Sequence, residues 1–366
     1  MPALDGIRGL AILGVLMLHS SIWGAVPAVL PGGNLGVTVF FVLSGYLITR
    51  LLLEEHGRTG RIDLRAFYLR RVARLLPALL LLLPVYVLVF ARELTTRELL
   101  VTVGATLLYL SSLVQSIWGA MGNLGWTWSL SVEEHFYIVW PPLLRRLLGA
   151  RSRARALALA GLIALLIVAA ATILRIALAG SVRWNEFAYY CTPTRIDALA
   201  VGCLLALLGE RRELHAPAAV GWAALAGIVW CYLNPHFAIG GADLDLYGLP
   251  LATLAGAVLI QAVVARPAGL LARFMGCRPL AHLGTISYGL YLWNLLPGQT
   301  FHVLMGRHPG VAGTLGCAGA VLALVELSHW YVERPIMRWA RSRMAGRTHR
   351  PARRRRPVPG VSPARG

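Results

Sequence analysis

Long apolar runs constrain this chain more than any single motif does. Segments near 6–25, 34–53, 72–92, 97–118, 127–148, 155–179, 196–210, 217–233, 245–265, 281–303 and 310–331 are predominantly apolar. Several approach or exceed the ~20 residues an α-helix needs to cross a bilayer. Hydrophobic residues make up 57% of the chain and the mean hydropathy is +0.64, outside the range of soluble domains. A backbone in lipid must satisfy its own hydrogen bonds, which favours helices over open strands. The expected fold is therefore all-α, a polytopic transmembrane helical bundle. The first run is not read as a signal peptide, because Arg8 is followed by no small-x-small cleavage site and further spans come after it.

The net charge is +19, and all 35 basic residues are arginine. The absence of lysine excludes a Schiff-base mechanism. The arginines gather beside apolar runs, at 58–74, 145–155, 211–212, 266–278 and 338–356. This is the positive-inside pattern, and no nucleic-acid partner is expected. With those stretches on the cytoplasmic side, an even number of crossings must separate 58–74 from 145–155. Three apolar runs lie between them, so one of 72–92, 97–118 and 127–148 is expected to be re-entrant or half-crossing, beside the Gly-rich WGAMGNLGW at 118–126. About ten crossings follow, with both termini cytoplasmic and outside loops near 26–33, 180–195 and 234–244. Residues 1–340 form the membrane domain, and the Arg- and Pro-rich 341–366 is expected to be a disordered tail. The five cysteines carry no CxxC spacing, so neither a disulfide framework nor a metal site is expected.

Ionisable groups inside apolar runs are costly and mark function by default. Arg8 and His19 lie eleven positions apart, which returns to nearly the same helical face about 16 Å further along. Arg8 is then at the cytoplasmic mouth and His19 near mid-membrane. In WTWSLSVEEHFYIVWPP (126–142), Trp126, Ser129, Glu133, Tyr137 and Trp140 share one helical face, while Glu134 points elsewhere. An ion pair with an arginine of another span is the structural alternative for these carboxylates. Arg70, Arg71 and Arg74 serve either topology or a guanidinium fork for phosphate. Ser44-Gly45 favours close helix packing over nucleophilic chemistry. Arg195 and Asp197 pair with each other or hold another helix, and with Ser129 and Tyr137 they are candidate acceptor-binding residues. Pro335, in VERP, is expected to end or bend the last helix.

Taken in order, LDGIRGLAILGVLMLH, FFVLSGYLIT, RRVARLLPA, WSLSVEEHFY, RIDALAVGCLLA, SYGLYLW and VERP resemble the acyltransferase-3 family of integral membrane O-acyltransferases. The resemblance covers roughly residues 1–340. It implies ten transmembrane helices, an acyl-CoA donor from the cytoplasm, and transfer to a hydroxyl, often of a sugar. The family's Arg-x10-His pair falls on Arg8 and His19, its RxxR on Arg71 and Arg74, and its acidic position on Glu133. This moves Arg8, Arg71 and Arg74 from topology to binding of the coenzyme A phosphates. Many relatives read SYGLYLWH where this chain has Asn294.

The expected activity is acyl transfer, with acetyl as the default group, from acetyl-CoA to a carbohydrate or glycosylated acceptor. The enzyme would sit in the inner or plasma membrane with no permanently bound cofactor. His19, of an ordinary pKa near 6.5, is the candidate general base. Glu133 would orient the imidazole or bind the acceptor. An acyl-histidine relay is the second mechanism. A proton-coupled transporter is the alternative function, since it too needs buried His, Glu and Arg.

Overall fold

The computed structural model describes residues 1–22, 30–179, 181, 184–210 and 217–348, and every described regular element is helical. The arginines at 211–212, the first half of the expected outer loop 26–33, and the tail from 349 lie outside the described residues.

The first helices are α1 (Pro2–Ile22), α2 (Leu35–Thr59), α3 (Leu64–Phe90), α4 (Thr96–Leu107) and α5 (Ser111–Trp118). The middle of the chain forms α6 (Trp128–Ala150), α7 (Arg153–Leu178), α8 (Asn185–Tyr190), α9 (Thr192–Gly209), α10 (Ala218–Leu233) and α11 (Leu249–Ala265). The last third holds α12 (Leu270–Met275), α13 (Arg278–Thr285), α14 (Ser287–Trp293), α15 (Leu296–Met305), α16 (Gly310–Ser328) and α17 (Arg334–Thr348). Local chemistry sets several boundaries. Asp63 caps α3 by accepting from the Ala66 amide, and Thr95 and Glu98 form a reciprocal capping box at α4. Gly60, at φ 71°, closes α2 in the left-handed conformation that glycine adopts without strain.

The chain is a multi-pass helical bundle, with seven described helices long and apolar enough to cross a membrane. The expected count of ten is not reached by this measure, and four of the eleven apolar runs do not qualify. Run 97–118 is divided into α4 and α5 at Tyr109, whose φ is 56°. Neither piece, at about 18 Å and 12 Å, spans a bilayer. This is the divided member of the three runs that parity singled out. Run 127–148 is the continuous α6, which carries Glu133, Glu134, Arg145, Arg146 and two prolines. Run 217–233 forms α10, which is only 16 residues long. Run 281–303 is split into α13, α14 and α15.

The last helix departs from its expected end. Pro335 terminates nothing: α16 passes through a π turn at His329–Glu333 into α17, which continues to Thr348. Proline has no N–H to give the preceding turn, and the widened turn lets the chain continue past it. The helix also occupies the start of the segment expected as a disordered tail.

Helix α2 packs against α9 and α1, and α1 packs against α13. Gly45 lies on the backbone of Leu199, and Gly202 on the backbone of Val42. A Cβ at either position would overlap a carbonyl oxygen, so the α2–α9 approach requires glycine on both helices.

Candidate active site

A cavity of about 370 Å³ opens among α1, α2, α3, α6 and α14. Along α2 its walls run from Leu51 to Val37, a rise of about 21 Å. Arg8, Arg71 and Arg74 line it, as do Ser129 and Glu133. Five of the residues singled out in the sequence therefore share one space. Each comes from a different register of a long helix: Arg8 from the second turn of α1, Arg71 and Arg74 one turn apart on α3, Ser129 and Glu133 one turn apart on α6.

The three guanidinium groups are held differently. Arg8 lies 3.4 Å from Asp5 on its own helix. Arg71 gives both Nε and Nη2 to Oε1 of Glu134, at 3.1 and 2.9 Å, and its guanidinium stacks 3.5 Å from the centre of the Tyr137 ring. Arg74 carries no hydrogen bond or ion pair among the described residues; it feels the like charges of Arg8 and Arg71 and the opposite charge of Glu133 on the same cavity wall. A guanidinium that faces a cavity with its donors unused is suited to receive an anion.

Glu134, expected to point away from the site, is thus the partner of Arg71. The ion pair that sequence reasoning weighed as the structural alternative exists, on Glu134 rather than Glu133. Glu133 lines the cavity, with the Ser44 hydroxyl between it and the Tyr137 hydroxyl. Ser44 is thus engaged by its neighbours as well as packed. Tyr137 itself is fully buried behind Arg71, and its carbonyl accepts from Tyr68 at 3.0 Å.

The inner end is lined by α14. The Tyr291 hydroxyl donates to the Trp126 carbonyl at 2.6 Å and meets the Ser129 hydroxyl at 2.7 Å. Tyr288 donates to the Leu75 carbonyl at 2.8 Å. His19 is not part of the cavity wall. It stands beyond the inner end, with Nδ1 2.6 Å from Oδ1 of Asn294, one turn past Tyr291. The sequence had marked Asn294 only as a departure from a pattern. Its i,i+3 spacing from Tyr291 was the available signal. No local signal announced Glu134 as the partner of Arg71, 63 positions away.

Arg195 and Asp197 lie elsewhere. Asp197 pairs with Arg175 of α7 at 2.7 Å, and both side chains are buried. Arg175 also donates to the Thr194 carbonyl at 2.7 Å and the Asp245 carbonyl at 3.2 Å. Arg195 donates to Thr38 at 3.0 Å and sits between the rings of Trp128 and Tyr189. The two residues do not pair with each other, and neither lines the cavity. They hold helices together: α9 to α7 and to α2.

The family model described as an acyltransferase domain matches residues 1–328. YrhL of Bacillus subtilis is 34% identical over 92% of this chain and 55% of its own length. The O-acetyltransferase OatA of Staphylococcus aureus is 31% identical over 92% of this chain and 57% of its own. The peptidoglycan O-acetyltransferase OatA of Listeria monocytogenes is 30% identical over 92% and 56%. The chain spans little more than half the length of these relatives. No solved structure matches. A continuous match over most of its length, through the very helices that build the cavity, means that this chain belongs to the acyltransferase-3 family.

Proposed function

We propose that this chain is a membrane O-acyltransferase that moves an acyl group, acetyl by default, from cytoplasmic acyl-CoA to a hydroxyl of a cell-envelope carbohydrate. One observation carries the reading: a long cavity with three converging arginines at one end, one of them unpaired, and a histidine beyond the other end. The names of all three of these relatives favour an O-acetyltransferase, and two of them name peptidoglycan as acceptor class. The positive-inside pattern of the Arg-rich stretches supports a cytoplasmic position for this mouth and for both termini.

Arg74 and Arg8 would grip the donor phosphates, with Arg71 as a third, internally braced cation. The pantetheine arm would lie along the α2 wall toward Ser129. At the inner end His19 takes the acceptor hydroxyl proton as the C–O bond forms and the C–S bond breaks. The proton then passes to the departing thiolate. Glu133, beside Ser44 on the cavity wall, would bind acceptor or donor polar groups rather than His19, whose Nδ1 is taken by Asn294.

The test is release of free coenzyme A, followed with a thiol reagent, from purified protein given acetyl-CoA and carbohydrate acceptors. His19→Ala and His19→Gln are expected to abolish acceptor-dependent release while inserting normally. Substantial residual transfer in either would overturn His19 as base. Transport of protons or sugar without thiol release would move the protein to the transporter reading.

A further inference from the structure

His19 meets one side chain across the bundle, the fully buried Asn294. A side-chain amide can offer an imidazole either its oxygen or its NH2. Here a second contact decides. The Asn294 Nδ2 lies 2.5 Å from the Tyr291 carbonyl, which can only accept. The oxygen end is therefore left toward His19, and the 2.6 Å contact is a hydrogen bond only when Nδ1 carries the ring proton. The lone pair is then on Nε2.

The local fold explains why an asparagine stands there. Helix α14 ends at Trp293, and α15 begins at Leu296 with Pro297 in its first turn. The break leaves the last carbonyls of α14 without helical partners. Asn294 satisfies one of them, that of Tyr291, and holds α1 with its other end. Tyr291 in turn bonds Ser129 and Trp126 through its hydroxyl. One residue of α14 thus lines the donor cavity and fixes the amide that faces His19.

We propose that Asn294 is the positioning residue of His19: it holds the imidazole as the Nδ1-protonated tautomer and aims the Nε2 lone pair at the acceptor hydroxyl. This rests on the reading of His19 as general base. In that step Nε2 gains the hydroxyl proton and gives it up to the thiolate, so the Nδ1 proton stays in place throughout. A neutral acceptor at Nδ1 suffices, and the ring returns to the same tautomer after every transfer.

Protein labelled with [15N]histidine in nanodiscs reports the tautomer directly, with the His19 signals identified by their loss in His19→Gln. The wild type is expected to show a protonated Nδ1 and a bare Nε2 at neutral pH. Asn294→Leu, close in shape but without an acceptor, is expected to lose that preference. Asn294→Asp, which still accepts, is expected to keep it. In the thiol assay the Leu variant is expected to lose roughly tenfold or more in kcat, as for one lost hydrogen bond. Its KM for acetyl-CoA stays within about twofold, since donor binding is untouched, and Asp restores part of kcat. A wild-type ring protonated at Nε2 would overturn the proposal, even if the Leu variant fails to fold. So would an unchanged tautomer and kcat in a folded Leu variant. If His19→Ala remains active, the base reading fails, while the tautomer measurement still decides whether Asn294 holds the ring.

Discussion

Arg71 and Arg74 look equivalent in the sequence: same residue, three positions apart, same motif. Their surroundings separate them. Arg71 is committed to Glu134 and to the face of Tyr137, whereas Arg74 faces the cavity without a partner among the described residues. Lysine preserves charge but loses the planar fork and the stacking. Arg74→Lys is therefore expected to raise the acetyl-CoA KM by about tenfold, the worth of a charge-assisted hydrogen bond, with a smaller change in kcat and an unchanged melting temperature. Arg71→Lys is expected to show the opposite balance, a clear loss of melting temperature and a smaller KM effect. Donor titration beside a thermal melt in detergent separates the two, and equal KM effects would show that both grip the donor alike. At this scale the sequence was legible where spacing along one helix was enough. Arg71 and Arg74, one turn apart on α3, reached one cavity, and Ser129 and Glu133 shared a face of α6. It was not legible where a contact closes across helices. Nothing near Glu134 signals Arg71, and periodicity put Glu133 on the cavity face without revealing what its neighbour did.

Helices were read well as objects and less well as connections. The apolar period located α1, α2, α3 and α7 to within a few residues at most ends. It did not foresee that 97–118 and 281–303 are broken, because hydropathy averages over a kink. The backbone turn at Tyr109 and the stop before Pro297 depend on packing that no window of one strand of sequence contains. The same holds for the π turn that carries α16 past Pro335. Arg195 and Asp197 show the consequence for function. Their proximity in sequence suggested a shared site, yet each reaches a different helix, and the buried partner of Asp197 is Arg175. Removing one member of such a pair strands the other charge. Asp197→Asn is expected to cost about 3–5 kcal/mol of stability, seen as a much lower melting temperature. Donor and acceptor KM are expected to change little in the protein that remains folded. A normal melt with a raised acceptor KM would return Asp197 to substrate binding.

The molecule as a whole brings residues from its two ends into one space: Met1 and Tyr291 line the same cavity. The bundle class follows from composition, and the family from seven short motifs in order, but the cavity exists only once α14 is laid against α1 and α3. Its length has a consequence for turnover. The arginine end and His19 are about 16 Å apart along α1, so under the proposed function the part of the carrier that is gripped would be identical before and after its cargo leaves. Binding that does not distinguish the two states cannot favour release. Free coenzyme A is accordingly expected to inhibit competitively against acetyl-CoA, with a Ki within about threefold of the donor's Kd. Inhibition weaker than that by orders of magnitude would place the grip on the acyl end instead. An enzyme that recognises the handle rather than the load runs at a pace set by the ratio of charged to spent carrier in the cell. Under the proposed function, acyl transfer at the cell envelope would then keep step with the energy state inside.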